Sequence, residues 1–484
     1  MKHPLKKDQV MKNRRTGIIR FCFFAVLTGF TALFFIRMHP LILHTPDDWR
    51  YLNYWRDFAF TVIGRGWNPG RVLPEILMPV GAWIGVYFLM PLGTGFVRAT
   101  AIGLAVIVTL AILLYMLSFD FLIRRKTGLG LYSELSVTLL FFLMHFWIFR
   151  SAQSGNTYLF DGYDPNLYFY YVIPYMLNFS VCFIWYAMGE TDGFREITGI
   201  KKGLWWLIIY LAVFSNMFVS IILAVFTAIR CLSIVLKNRG KQNLRSTAVS
   251  LRYELAVIVL WLYSLAAEAT GGNAGHISEE NSVHFAAAIK DAVAGSIALC
   301  KQINKYFAMF VVLMVIILIC IMITKKKSLG TCIGIILWGV MDYSYLILLC
   351  GVVGSEYISR AMVSACYLIP VLLIISLSAV SALELREDLI TLMPLVVLII
   401  VSLINTTKPV FAESPGTVRM KEKLDNYFVE EFMQADLAGS NEIRIKIPDW
   451  YAYELEDYDL YSVYIPSTLY KYGIISGEIS CVIE

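Results

Sequence analysis

The chain is short of charge. Only 16% of its 484 residues are Asp, Glu, Lys or Arg, where a soluble domain carries about a quarter. That shortage excludes an ordinary water-soluble globule and a disordered polyelectrolyte. The signatures of nucleotide-driven and soluble hydrolytic enzymes are missing as well. No P-loop, H-E-x-x-H, G-x-S-x-G or Rossmann glycine fingerprint occurs, so energy from ATP is not indicated. Nine cysteines are scattered, mostly inside apolar runs (Cys22, Cys182, Cys320, Cys332, Cys350, Cys366), with no C-x-x-C among them. Neither a disulfide framework nor a zinc site follows from that pattern. No internal repeat stands out, which argues against an inverted-repeat transporter.

What the chain has instead is hydrocarbon. Hydrophobic residues make up 58% of it, and the mean hydropathy is +0.65. Long apolar runs recur from end to end, the pattern of a polytopic α-helical membrane protein. The net charge of +5 is modest and fits basic loops on one side of a bilayer, not a nucleic-acid surface. Lys2, Lys6, Lys7, Lys12, Arg14 and Arg15 precede the first apolar run. The positive-inside rule places residues 1–16 in the cytoplasm. That run closes on Phe34-Phe35-Ile36-Arg37 with no small-residue cleavage site, so it reads as a retained signal anchor.

Three further basic clusters, at Arg124-Arg125-Lys126, Lys237 to Arg252 and Lys325-Lys326-Lys327, fix the topology if all face the same side. Val72 to Met90 is long enough to span, but it contains Pro74, Glu75, Pro79 and Gly81. If it spanned along with Phe96–Ile123, the Arg124 cluster would lie outside. It is therefore read as an interfacial helix in the first outer loop. The apolar stretch from Leu204 to Leu236 exceeds one span and divides at a Ser215-Asn216 turn. About eleven spans result, with the N-terminus in and the C-terminus out, over a module of residues 17–404. Its outer loops are 39–95, 150–165, 268–305 and 351–360. Residues 405–484 are charged and rich in tyrosine, with a helical stretch at Glu413–Ala438 and an alternating, β-branched stretch at Glu442–Ile447. They predict a small α/β extracytoplasmic domain.

The candidate chemistry lies in those outer loops. Asp47 and Asp48 follow the first span directly. A paired acid at a bilayer edge suits a general base or a divalent-cation ligand. Adjacent side chains diverge, so one is expected to face a ligand while the other caps the helix that starts nearby. Gly64-Arg65-Gly66-Trp67-Asn68-Pro69-Gly70-Arg71 combines close backbone approach with two arginines suited to phosphate, against the plainer reading of a turn with interfacial anchors. Asp161, Tyr163 and Asp164 lead into a run of tyrosines. Acids beside aromatic rings suit sugar hydroxyls and pyranose faces, although an aromatic belt is the better account of the tyrosines and a solvated loop accounts for Asp161 and Asp164 about equally well. Glu268 ends a span, a common place for a functional ionisable group. His276 and His284 lack zinc spacing. Arg360 opens a span with Glu356 four residues before it. It suits a lipid-linked phosphate, or else an ordinary i,i+4 ion pair.

The order of these features resembles the GT-C superfamily of membrane glycosyltransferases: an acidic pair after the first span, a second acidic outer loop, and a late arginine near the outer face. More narrowly, D-D-[WFY]-x-Y, here Asp47-Asp48-Trp49-Arg50-Tyr51, followed by G-R before a hydrophobic helix and a charged outer tail, is similar to bacterial multi-pass proteins of the O-antigen glucosyltransferase kind and their uncharacterised relatives. The resemblance implies inverting transfer of a sugar from a polyprenyl-phosphate donor to an extracytoplasmic glycan or lipid-linked acceptor. This would occur at the bacterial inner membrane, in cell-envelope polysaccharide biosynthesis. It implies Asp48 or Asp47 as base, and Arg360 with Arg65 or Arg71 on the donor phosphate. Asp161, Tyr163, Asp164, Glu268 and Glu356 would line the substrate site. Asp48 and Asp161 would serve as ligands if a divalent cation (Mg or Mn) is used. The C-terminal domain is shorter than in the better-known members, and no acceptor-binding signature is present. Two other classes fit the composition. A carrier for lipid-linked sugars would need ionisable groups inside spans, of which Asp342 is the main instance. A polysaccharide polymerase would not need the acid pair.

The topology is directly testable. A reporter fused after Lys237 is expected to report the cytoplasm, and one fused after Gly272 the outside; the opposite pattern would invert every loop assignment above.

Overall fold

The computed structural model describes residues 4–53, 56, 60–147, 164–189, 197–238, 244–272, 285–302, 309, 312, 316, 329–354, 415–451 and 458–483. Within them the chain is a helical membrane protein. Six helices are long and apolar enough to cross a bilayer: Arg14–Met38, Val72–Leu92, Phe96–Lys126, Pro165–Met188, Met217–Lys237 and Ile333–Val353. In chain order the helices are α1 (Pro4–Leu33), α2 (Pro46–Asn53), α3 (Val72–Ile84, running on in tighter and wider turns to Leu92), α4 (Phe96–Lys126) and α5 (Leu131–Trp147). They continue with α6 (Pro165–Met188), α7 (Gly199–Val213), α8 (Met217–Asn238), α9 (Leu244–Ser250), α10 (Arg252–Glu268), α11 (Phe285–Gln302) and α12 (Leu329–Val353).

α6 sits at the centre. In its apolar stretch 83% of residues are buried, against 28% for α1, so α6 faces protein on nearly all sides while α1 faces lipid. Contacts fix the helix directions. Tyr115 of α4 hydrogen-bonds Tyr175 of α6 across 2.9 Å, and Ser118 donates to Ser180 at 3.1 Å, so these two helices run parallel. Phe119 stacks on Phe141 of α5 at 3.9 Å between ring centroids, beside Phe183. This aromatic layer binds α4, α5 and α6 together. α1 runs antiparallel to α4. Arg20 at its middle pairs with Asp120 (2.5 Å) and with Glu134 of α5, whereas Ile36, in the wide turn Phe34–Met38 that continues it, accepts from Arg98.

The stretch read as an interfacial helix is α3, packed antiparallel on the N-terminal half of α4. Small residues set the spacing: a Cβ on Gly85 would lie 2.2 Å from the Ala99 carbonyl oxygen, and one on Gly103 would lie 2.1 Å from that of Gly81. Close approach of this kind lets dispersion replace the hydrophobic drive that lipid cannot supply. At 31 residues, α4 rises about 46 Å, more than the ~30 Å of a hydrocarbon core. At least one end therefore projects. The Ser215-Asn216 break between α7 and α8 is present, but it is buried, not exposed to solvent. Asn178 donates to the Ala212 carbonyl and to Ser215, and Asn216 donates to the Tyr170 carbonyl at 2.6 Å. The outer loop expected at 268–305 contains the alanine-rich α11, which packs on α12 where Gly351 leaves room for Ile289 and Phe285.

The tail folds where a helix and a strand were expected. α13 (Pro415–Leu437) is followed by β1 (Glu442–Ile445), α14 (Tyr458–Lys471) and β2 (Ser480–Ile483). The strands pair in parallel, Glu442 opposite Ser480 and Ile445 opposite Ile483. A parallel pair needs a crossover, and α14 lies in that crossover. The tail is not a free-standing cap. α14 packs along α2, and Tyr472 reaches Phe96 of α4.

Gly85→Leu or Gly103→Val forces backbone apart at the α3–α4 contact. Each is expected to destabilise the protein by about 1–3 kcal/mol or more, read as a lowered melting temperature in detergent; an unchanged melt would show that the helices do not need this spacing.

Candidate functional site

α2 is the element that carries the acid pair, and its sequence explains its start. Thr45 precedes Pro46 at the first helical position, where a missing N–H is harmless. Asp48 lies three residues after Thr45. The Asp48 amide donates to Thr45 Oγ1 at 3.2 Å, and the Asp48 carboxylate accepts from the Thr45 amide at 2.9 Å. This is a reciprocal capping box. The cap is therefore Thr45, one turn earlier than a cap on one of the aspartates would have been. Asp48 Oδ2 also accepts from the Thr45 hydroxyl (2.8 Å) and the His44 amide (3.1 Å).

The other oxygen of Asp48 turns toward the start of α6. Asp48 Oδ1 accepts from the Asn166 amide at 2.9 Å. Asp164, which caps the start of α6 by accepting from the Leu167 amide at 3.4 Å, lies within hydrogen-bond reach of it. Asp48 has no exposed surface. Burial pushes both carboxyls above the ordinary carboxylate range; Asp164 raises Asp48 further, and Asp47 raises Asp164. Each of these two acids therefore gives up its proton less readily than an ordinary carboxyl does. Asp47 differs from its neighbour. It is half-buried and makes no hydrogen bond or ion pair among the described residues.

Asp47 and Arg71 both act on the same phenol. Tyr51 is raised above its usual range by burial, with Arg71 lowering it and Asp47 raising it. The Tyr51 ring lies 4.4 Å from that of Tyr170, centroid to centroid, and the Arg71 guanidinium lies 5.6 Å from the Tyr170 centroid. Tyr170 belongs to a wide turn, Tyr168–Val172, in α6. Wide turns of this kind are frequent at functional sites. Burial works against the charge of Arg71, but Tyr171, Glu268, Tyr51 and Tyr170 around it outweigh burial and keep it charged. Arg50 of α2 lies over Tyr51, Trp67 and Tyr464, 5.5 to 5.7 Å from each ring centroid.

The glycine-rich loop and the start of the 268 loop form one structure. Gly70 lies directly against the Glu268 carboxylate: a Cβ on Gly70 would lie 2.6 Å from Glu268 Cγ. The Gly272 amide donates to the Gly66 carbonyl at 3.0 Å, and the Gly64 amide to Thr270 Oγ1 at 3.2 Å. Glycine at 271 and 272 leaves room for Pro69 and Trp67. Arg56, which sequence reasoning passed over, holds this loop. It pairs with Glu75 at 2.5 Å and donates to the Asn68 carbonyl at 2.9 Å. The one sequence signal for it was Glu75, an acid inside an apolar run.

The C-terminal segment closes the other end of α2. An α-helix leaves its last carbonyls unpaired. Here Thr468 donates to the Trp49 carbonyl (2.8 Å) and Tyr472 to the Leu52 carbonyl (3.0 Å), while Lys471 reaches Asn53. Tyr461 donates to the His44 carbonyl. Burial, with Lys421 nearby, pushes the His44 imidazole down to about 3, so it is neutral.

Asp47, Asp48, Asp164, Arg71 and Glu268 are thus brought together by the fold. Arg65 is exposed on the edge of the loop. Asp161, Tyr163, Glu356 and Arg360 lie outside the described residues. Asp48 does not fit the metal role expected of it. Oδ2 accepts three protein donors and Oδ1 a fourth, leaving it less than the oxygen shell of Mg or Mn requires. Among the described residues no three His, Cys, Asp or Glu side chains gather into a cation site.

The raised acids have a pH signature. Above the ordinary carboxylate range a raised carboxyl holds in the folded state a proton that the unfolded state has lost, so stability falls as pH rises through the raised value. Asp164→Asn removes one of the two raised acids and is expected to lessen the fall in melting temperature as pH rises above the ordinary carboxylate range; a slope equal to wild type would rule out this linkage. Asp48→Asn disturbs the capping box and is expected to cost about 1–2 kcal/mol.

No protein-family model matches this chain, and neither a curated protein nor a solved structure does.

Proposed function

We propose that this chain is a membrane glycosyltransferase of GT-C-like architecture, with about eleven spans, N-terminus in and C-terminus out. It moves a sugar from a polyprenyl-phosphate donor to an acceptor outside the cytoplasm of a bacterial cell. The observation that carries this reading is that a carboxylate, Asp47, and a charged, half-buried arginine, Arg71, both act on the adjoining phenols of Tyr51 and Tyr170. Inverting transfer needs those two functions on opposite sides of the anomeric carbon. The base takes the proton of the acceptor hydroxyl as its oxygen bonds to carbon. The bond from carbon to the phosphate oxygen breaks, and the arginine stabilises the departing phosphate. The tyrosine rings offer the apolar surface on which a pyranose stacks.

In this reading Asp47 is the base. Asp48 and Asp164 are positioning residues, because their oxygens already serve the helix cap and each other. Glu268 holds the loop that presents Arg71. Arg65 and Arg360 remain further contacts for the donor phosphate; Asp161, Tyr163 and Glu356 remain proposed contacts for the sugar or acceptor. The carrier reading has one observation of its own: Asp342 in α12 is buried, and one of its oxygens has no hydrogen-bond partner. Movement of a lipid-linked sugar across vesicles without bond formation would favour that reading.

Asp47→Asn is expected to lower sugar transfer about 10²–10⁴-fold, the usual contribution of a general base, with an unchanged melting temperature. Arg71→Lys, which loses the planar fork, should impair transfer as well. The readout is the mass of the acceptor glycan, increased by one sugar in wild type. Wild-type activity in Asp47→Asn would remove the base from this reading, and chain lengthening in place of a single addition would identify a polymerase.

A further inference from the structure

Asp47 shares its face of α2 with a second charged side chain that the proposed chemistry leaves unused. Asp48, Trp49, Tyr51 and Leu52 of this helix are buried, whereas Asp47 and Arg50 are each half-buried. Residues three apart on a helix are neighbours, with Cβ atoms about 5–6 Å from each other, and an acid and an arginine at that spacing suit an ion pair. Arg50 nevertheless makes no ion pair with Asp47, and no hydrogen bond or ion pair with any other of the described residues.

Aromatic rings hold the guanidinium instead. It lies 5.6 Å from the ring centroid of Tyr51, 5.5 Å from that of Trp67 and 5.7 Å from that of Tyr464. These rings come from three separate segments: α2 itself, the glycine-rich loop and α14. Trp67 is in turn seated against Gly272, where a Cβ would lie 2.9 Å from its ring. A ring attracts a cation through its π face and takes up no N–H, so the five donors of the guanidinium are held in place and unused. The rotamer freedom of the long side chain is surrendered on folding and not on binding, which favours capture of a ligand. A fixed, permanently charged planar fork fits an anion held bidentately, a phosphate or a carboxylate.

Arg50 also belongs to the site already described, since it acts on Tyr51 together with Asp47 and Arg71. It stands one turn from the carboxylate assigned as base, and a base sits at the acceptor hydroxyl. We propose that Arg50 binds an anionic group, phosphate or carboxylate, carried by the acceptor near the hydroxyl that Asp47 deprotonates. The role as acceptor rests on the glycosyl-transfer reading, whereas the anion site stands on the placing of Arg50. A neutral acceptor would leave the fork unused, so acidic or phosphorylated acceptors are preferred.

The test measures binding and transfer separately, on the full chain purified in detergent. Glycerol 3-phosphate and glucuronate serve as anionic probes and glucose as the neutral one, with affinity read from the ligand dependence of the melting temperature. Wild type should bind at least one anionic probe more tightly than glucose, and the one it takes more tightly tells phosphate from carboxylate. Arg50→Gln should weaken that probe about tenfold or more. Arg50→Lys keeps the charge but not the fork and should fall between the two. Asp47→Asn removes a negative charge one turn away, so it should bind the anion at least as tightly as wild type while losing transfer. If Arg50→Gln fails to fold, Arg50→Lys decides. Equal binding of anionic and neutral probes, or a folded Arg50 variant that binds the anion as tightly as wild type, overturns the proposal and leaves an arginine held only for packing. Sugar transfer alongside that result keeps the glycosyl-transfer reading. Arg50-dependent anion binding in a protein that transfers no sugar supports the anion site and counts against that reading.

Discussion

An eight-residue helix does not hold itself together. Forming the first turn is unfavourable, and isolated helices this short are marginal in water. α2 exists because both of its ends are tied elsewhere. At its start Thr45 and Asp48 satisfy each other's amides, and Asp48 extends the tie to Asn166, 118 residues further along the chain. At its end the carbonyls of Trp49, Leu52 and Asn53 are satisfied by α14 and Tyr472, more than 400 residues away. The segment around α2, the start of α6 and the C-terminal tail therefore stand or fall together. The accessible carboxylate of Asp47 is held in place by all three.

Buried charge is handled in two ways. Next to the basic loops it is paired across helices: Arg20 with Asp120 and Glu134, Arg230 with Glu254. Breaking such a pair leaves an uncompensated ion in a dry place, which is far worse than never having had it. Around α2 the acids Asp48 and Asp164 have no cation on them among the described residues. They are held by amide donors. The first arrangement locks helices together. The second leaves Arg71 apart from the acid pair, acting with Asp47 on Tyr51.

The glycine-rich loop shows how far a motif reading reaches. Two arginines and three glycines suggest close backbone approach and phosphate, and the fold gives the glycines definite work. Gly70 makes room for Glu268, while Gly64 and Gly66 adopt left-handed backbone that suits only glycine comfortably. The two arginines separate. Arg71 turns in toward Tyr170, and Arg65 stays on the surface. Sequence spacing cannot make that distinction, because the turn between them has no repeat that assigns a face. Arg56 escaped notice for the same reason, since its partner Glu75 lies across a loop from it.

By itself the sequence determined what hydrophobicity and short-range chemistry can determine. Apolar runs of sufficient length mark the helices, because a backbone in hydrocarbon must satisfy its own hydrogen bonds. Thr-Pro-Asp-Asp contains the start of α2, because cap, proline and acid act within one turn. The alternation at Glu442–Ile447 marks a strand, although its partner, Ser480–Ile483, lies a crossover away. Only the tertiary structure decided between Asp47 and Asp48. Neighbours on a helix point about 100° apart, so one of them had to turn inward. Which one depends on where Asn166 and Asp164 arrive, and that is settled by the packing of α6 against α4. Asp48, the first choice from sequence for the base, turned inward to the cap, and Asp47 was left facing the open side.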